Sequence, residues 1–119
     1  KINEILSDEW GISPGYSFEG QLLGHIAQGV KMIDRLSAEL NISQEKAVML
    51  EHMILSHHYE PDFGSPKRPM FPEAELLHYL DIFDARIFDM GEALSGVAPG
   101  DFSDKVRTLD NRRIYKPTF

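Results

Sequence analysis

A chain of 119 residues, 42% hydrophobic and 26% charged, has the length and balance of one ordinary globular domain. It contains no cysteine, which excludes disulfides, thiolate metal sites and cysteine nucleophiles. No apolar run approaches the roughly 20 residues of a membrane span, and a formal net charge of −7 argues against a free-standing nucleic-acid binder.

The chain opens on Lys1 rather than methionine, with apolar Ile2, Ile5 and Leu6 directly behind it, as in a processed or trimmed piece. Ser13-Pro14-Gly15 is turn chemistry before a first helix, expected from about Phe18 to Leu40. In that helix Leu22, Ile26, Ile33, Leu36 and Leu40 recur at helical steps as one apolar stripe, and Asn41 is a suitable stop. A second helix is expected over Ser43–His58. Ser43 suits an N-cap, with Gln44 and Glu45 in the first turn and Ala47, Leu50, Ile54 and Leu55 on the apolar face.

Pro61, Gly64, Pro66 and Pro69 make residues 59–71 a loop. A third helix follows over Pro72–Leu94, with proline in its first turn and Leu77, Leu80, Ile87 and Leu94 along it. Beyond the turn at residues 96–100, a short helix is expected near Ser103–Leu109, then a polar tail. Positive charge gathers at Lys67-Arg68 and along Lys105, Arg107, Arg112, Arg113 and Lys116. Such a cluster is by default a solvated face, though it can hold an anion locally. No strand is legible, so the fold class is all-α.

Five histidines carry most of the chemical information. His57 and His58 are neighbours, and neighbouring helical side chains diverge by about 100°. Both reach one centre only where the helix is ending, which is where they sit. His25 is offset from the stripe of the first helix; a lone histidine there is more often a satisfied core or boundary residue than a ligand. Asp81 and Asp84 lie one turn apart in the apolar stretch 76–88, where a buried carboxylate needs a metal or a histidine as partner. With Arg86 they also read as an exposed polar face. Imidazoles with a carboxylate suit a divalent transition metal and hydrolytic chemistry. His78, three residues before Asp81, and His52, five before His57, are rival candidates, His52 reading as structural. A nucleophile elbow and a glycine-rich phosphate loop are both absent.

Five sequence blocks, in order, resemble those of the YhaM exoribonuclease family. They are Gly20-Gln21-Leu22-Leu23-Gly24-His25-Ile26, His52-Met53-Ile54-Leu55-Ser56-His57-His58, Phe63-Gly64-Ser65-Pro66, Leu77-His78-Tyr79-Leu80-Asp81-Ile82-Phe83-Asp84-Ala85, and Leu109-Asp110-Asn111-Arg112-Arg113-Ile114-Tyr115-Lys116-Pro117. The resemblance implies an HD-domain-like helical bundle over residues 1–119, incomplete at its N-terminal side. The family's first histidine, its His-Asp pair and its OB-type domain have no counterpart here, and Lys1 resembles a lysine shortly after that pair.

By the same resemblance His25, His57, His58 and Asp81 are metal ligands, and the metal is manganese, in two ions in the intact domain. Asp84 is then second to Asp81 or substrate-facing, and Ser65 and Lys67 approach phosphate. The implied activity is hydrolysis of single-stranded RNA from its 3′ end by a cytoplasmic, homo-oligomeric enzyme, with this chain alone inactive. Two alternatives stay open: an HD hydrolase acting on small nucleotides, and a non-enzymatic helical binding module.

Overall fold

The computed structural model describes residues 4–7, 13 and 15–119. Lys1, Ile2 and Pro14, on which three of the expectations above touch, lie outside the described residues. Two compact units divide the chain, Lys1–His78 and Tyr79–Phe119.

In the first unit a two-residue strand β1 (Ile5–Leu6) pairs antiparallel with β2 (Gly15–Tyr16), Ile5 opposite Tyr16. Two residues per strand cannot display an alternating pattern, which is why no strand is legible in the sequence. Helix α1 (Phe18–Glu39) starts where Ser17 Oγ accepts the Gly20 N–H at 2.9 Å. At Gly24 the backbone leaves helical space (φ 69°, ψ 169°), so α1 is two helical segments joined at a kink. A left-handed φ of this kind is costly for any residue with a Cβ.

The kink also explains a departure from the expected stripe. Ile26, Ile33 and Leu36 are half-buried on one face. Leu22, lying before the break and so out of helical phase, is 66% exposed; Leu40, just past the end of α1, is 67% exposed for another reason, its place at the helix terminus. Asn41 adopts the left-handed stop (φ 53°), and helix α2 (Gln44–Ser56) follows with Ser43 at its N-cap position but without a side-chain cap bond. Helices α1 and α2 pack closely where Gly29 faces Ile54: a Cβ on Gly29 would lie 2.7 Å from Ile54 Cγ2. Gly20 permits a second close approach, since a Cβ there would overlap the backbone carbonyl of Glu4. That carbonyl accepts the Ser17 N–H at 2.9 Å, which pins Glu4 against the start of α1.

Helix α3 (Pro72–Leu94) has the bounds its proline and apolar spacing predict. It begins in the first unit, where Ala74 and His78 are buried, and ends in the second. The all-α expectation is therefore borne out, with three helices and one small ladder among the described residues. Among the described residues no helix is long and apolar enough to cross a membrane.

In the second unit the expected helix near Ser103–Leu109 does not form; only Arg107–Leu109 coils, as a single 3-10 turn. The backbone there is committed elsewhere. Ser103 N–H donates to Ile114 O at 2.8 Å and Val106 N–H to Arg112 O at 3.0 Å, folding the tail back as a hairpin. Its tip is Asp110-Asn111, both at positive φ (58° and 56°), as a tight hairpin turn requires. Leu109 is buried beneath it. Arg86 Nη2 lies 2.6 Å from Asp110 Oδ2, and this hydrogen bond, then the guanidinium charge, holds the Asp110 carboxyl below its ordinary value. Tyr79, Leu80, Ile82, Phe83, Ile87 and Phe88 of α3 are exposed.

Gly20→Ala must displace Glu4 and should destabilise the chain by about 1–3 kcal/mol in chemical denaturation. Gly91→Ala, in the interior of α3 with nothing within 4 Å of the new Cβ, should instead stabilise it by about 0.5–1 kcal/mol. A Gly20→Ala variant as stable as the wild type, or more so, would refute the close approach of Glu4. The lowered Asp110 carboxyl stabilises the hairpin above the ordinary carboxylate range, and that contribution is lost as pH falls through the lowered value. A carboxyl-detected NMR titration should place Asp110 below about 3.9 and return it there in Arg86→Ala.

Candidate metal centre

Three imidazoles from two helices of the first unit meet in one place. His25 is the first residue after the Gly24 break in α1, and His57 and His58 follow the last residue of α2. His57 is the C-cap in helical conformation (φ −65°, ψ −23°), while Tyr59 has turned left-handed (φ 69°). The helix thus unwinds under the pair, and the His57 and His58 ring centroids lie 4.1 Å apart with their planes 64° from each other. His25 stands 5.5 Å from His57 and 5.0 Å from His58 by ring centroids. One ring nitrogen from each of the three lies within 4.8 Å of the others.

The hydrogen bonds place the ring protons. His57 Nδ1 lies 2.6 Å from Ile54 O, and His58 Nδ1 lies 2.6 Å from Phe63 O. A carbonyl only accepts, so both Nδ1 atoms carry the proton and donate it. His25 Nδ1 lies 3.1 Å from Glu4 Oε1, and a carboxylate oxygen assigns the proton the same way. With the proton on Nδ1, Nε2 is the atom from which each ring can ligate. Two of these Nε2 atoms, on His25 and His58, face each other at 3.3 Å.

Such a donor set fits a divalent metal. Ligating histidines usually donate their other ring N–H to a carboxylate or a backbone carbonyl, and each of these three does so. Two nitrogens at about 2.0–2.1 Å from a tetrahedral ion are roughly 3.3–3.4 Å apart, the spacing of His25 and His58.

Surrounding groups hold this arrangement. Ser65 is fully buried, and its Oγ accepts the backbone N–H of His58 at 3.0 Å. Its hydroxyl therefore anchors the Gly64–Pro66 turn to the histidine pair rather than lying open to phosphate. His78 is buried, and its Nδ1–H donates to the His57 carbonyl at 2.8 Å. The Tyr59 ring lies 4.8 Å from His78 and 5.0 Å from the Arg68 guanidinium, between two contacts that oppose the strain of its backbone. His52 Nε2 accepts the Met70 N–H at 3.1 Å, the structural role its position suggests.

Of the other expected site residues, Lys67 is exposed and lines two clefts of about 200 and 300 Å³. The smaller is shared with Tyr59, Glu60, Ser65 and Arg68, and there Glu60 pairs with Arg68 at 2.8 Å and raises its pKa, by hydrogen bond first and charge second. Asp81 and Asp84 lie on α3 in the second unit, both exposed. Glu4 was not legible as a site residue. Its only trace in the sequence is the pair Gly20 and Gly24, the first admitting its backbone and the second freeing the His25 N–H for its carboxylate.

Comparison with known proteins gives a consistent likeness. The chain is 50% identical over 108 residues to a protein of Bacillus licheniformis named 3′–5′ exoribonuclease YhaM, covering 91% of this chain and 34% of that one. The protein of the same name from Bacillus subtilis is 47% identical over 108 residues, at the same coverage. One from Geobacillus is 47% identical over 118 residues, covering 99% of this chain and 36% of the relative. The chain spans about a third of the length of these curated relatives. No family model and no solved structure matches. The YhaM-type resemblance read from the five sequence blocks is borne out.

The anchoring role of Ser65 is open to test. Ser65→Ala leaves the partly buried His58 N–H without its acceptor and should cost about 1 kcal/mol in unfolding free energy. Hydrogen exchange at the His58 amide should accelerate with it. Unchanged exchange would show that the Gly64–Pro66 turn does not hold the histidine pair.

Proposed function

We propose that His25, His57 and His58 hold a catalytic divalent metal in an HD-type phosphohydrolase centre, and that the enzyme containing this chain removes nucleotides from the 3′ end of single-stranded RNA. One observation carries the proposal: one ring nitrogen from each of the three histidines lies within 4.8 Å of the others, while each Nδ1–H is turned to an acceptor. The RNA substrate and the 3′ direction are supported by the names of the relatives. Manganese, a cytoplasmic location and, in the intact domain, a second ion follow from the same resemblance.

When bound, the cation supplies Lewis-acid charge for phosphodiester hydrolysis. The chain's own groups do the rest. The carbonyls of Ile54 and Phe63 and the carboxylate of Glu4 keep the three rings in one tautomer, with Nε2 forward. Lys67, exposed beside the Ser65 turn, offsets phosphate charge. By the same resemblance Asp81 is expected as a metal ligand, and Asp84 as second to it or substrate-facing. The exposed apolar residues of α3, from Tyr79 to Phe88, support self-association.

Two measurements test this. In the 119-residue chain, Mn²⁺ titration followed by electron paramagnetic resonance should reveal one weak site that His58→Ala abolishes. In the enzyme that contains the chain, His25→Ala, His57→Ala and His58→Ala should each reduce Mn²⁺-dependent release of nucleotides from a 5′-labelled oligoribonucleotide by at least about 100-fold, on the scale of losing a metal-borne charge. Faster hydrolysis of free nucleotides than of the oligomer would assign the site to small substrates. Mn²⁺ binding that ignores all three histidines would leave only a helical binding module.

A further inference from the structure

We infer that Glu4 is a positioning residue of this centre, whose carboxylate fixes the proton on His25 Nδ1 and so aims the His25 Nε2 lone pair at the ion. The inference rests on the metal reading of the three histidines. Glu4 is only 8% exposed, and a carboxylate so placed is costly unless charge-assisted hydrogen bonds replace its water. Its Oε1 receives two from one residue, the backbone N–H of His25 at 3.1 Å and the ring Nδ1–H of His25 at 3.1 Å.

The local fold is arranged for this contact. In an unbroken helix the His25 N–H would bond the carbonyl four residues back, at Gln21. The Gly24 break removes that amide from the ladder and makes it the opening N–H of a new helical segment, where a carboxylate is favoured. Gly20 lets the Glu4 backbone come close enough, and Ser17 N–H holds its carbonyl at 2.9 Å. Backbone and side chain of Glu4 are thus fixed on either side of the break.

Glu4 also differs in kind from the other partners. The Nδ1–H groups of His57 and His58 donate to neutral backbone carbonyls, that of His25 to a carboxylate. A carboxylate on the far nitrogen raises the basicity of the ligating one, and losing such a partner typically weakens metal binding 10–100-fold.

The test uses the 119-residue chain, with Mn²⁺ alone as probe and paramagnetic resonance as readout, beside ¹⁵N spectra of the metal-free imidazoles. Glu4→Ala should weaken Mn²⁺ binding by about 10–100-fold, and His25 should lose its preference for the Nδ1–H tautomer. Glu4→Gln keeps an acceptor oxygen without the charge, so it should retain that tautomer and lose less affinity than Glu4→Ala. Should Glu4→Ala fail to fold by circular dichroism, Glu4→Gln carries the test through its smaller loss. Wild-type Mn²⁺ affinity with an unchanged His25 tautomer, in whichever of these variants folds, overturns the role of Glu4. If His25→Ala also binds Mn²⁺ like the wild type, it is the metal reading itself that fails.

Discussion

Two imidazole nitrogens 3.3 Å apart, each with its ring proton committed on the opposite side, repel one another unless a cation lies between them. A proton can fill that role for two rings, but only by charging one of them. A divalent ion can do it for three at once, with its positive charge shared among neutral donors. The close approach of His25 to His58 is therefore the constraint that gives the first unit its other peculiarities. A chain selected for stability alone would have no reason to aim these lone pairs at each other.

Those peculiarities are departures from regular structure. A glycine at positive φ breaks α1 one residue before His25, and a tyrosine at positive φ ends α2 one residue after His58. Left-handed backbone costs roughly 1–2 kcal/mol per non-glycine residue, so Tyr59 must be held by its surroundings, here His78 and Arg68. A buried serine, Ser65, binds the amide of His58. None of these features lengthens a helix or enlarges the core. All of them set where an imidazole points, as expected where strain serves a site rather than the fold.

Much of this was legible in the sequence, and the limits have physical causes. The bounds of α3 match those expected, and those of α1 and α2 fall within two residues, because capping residues, prolines and apolar spacing are local signals. The adjacency of His57 and His58 at a helix end already implied that both could face one centre. The break at Gly24 was hidden, since apolar spacing on either side of it still reads as helical. Leu22 was accordingly placed on the wrong face. The C-terminal hairpin was missed although Asp110-Asn111 is a turn signal, because its pairing runs through isolated bridges rather than strands of alternating residues. Glu4 was beyond reach for a different reason: its partner is 21 residues away, and no periodicity connects a residue at a ladder to one at a kink.

The composition of the centre also bears on what kind of metal site it would be. Structural sites close the coordination sphere with four protein ligands, often thiolates, whereas catalytic sites keep positions open for water or substrate. The first unit brings together three imidazoles, without cysteine, and the Glu4 carboxylate is turned to an imidazole rather than offered to an ion. Three nitrogen donors would leave a divalent ion most of its positive charge, with positions open. Those are the properties a phosphodiester oxygen requires, since stabilisation of a phosphoryl group rests on charge that the ligands have not already neutralised. Were Glu4 to swing from His25 onto the ion, it would cancel part of that charge and occupy one of those positions. The two hydrogen bonds that hold it against His25 keep both available.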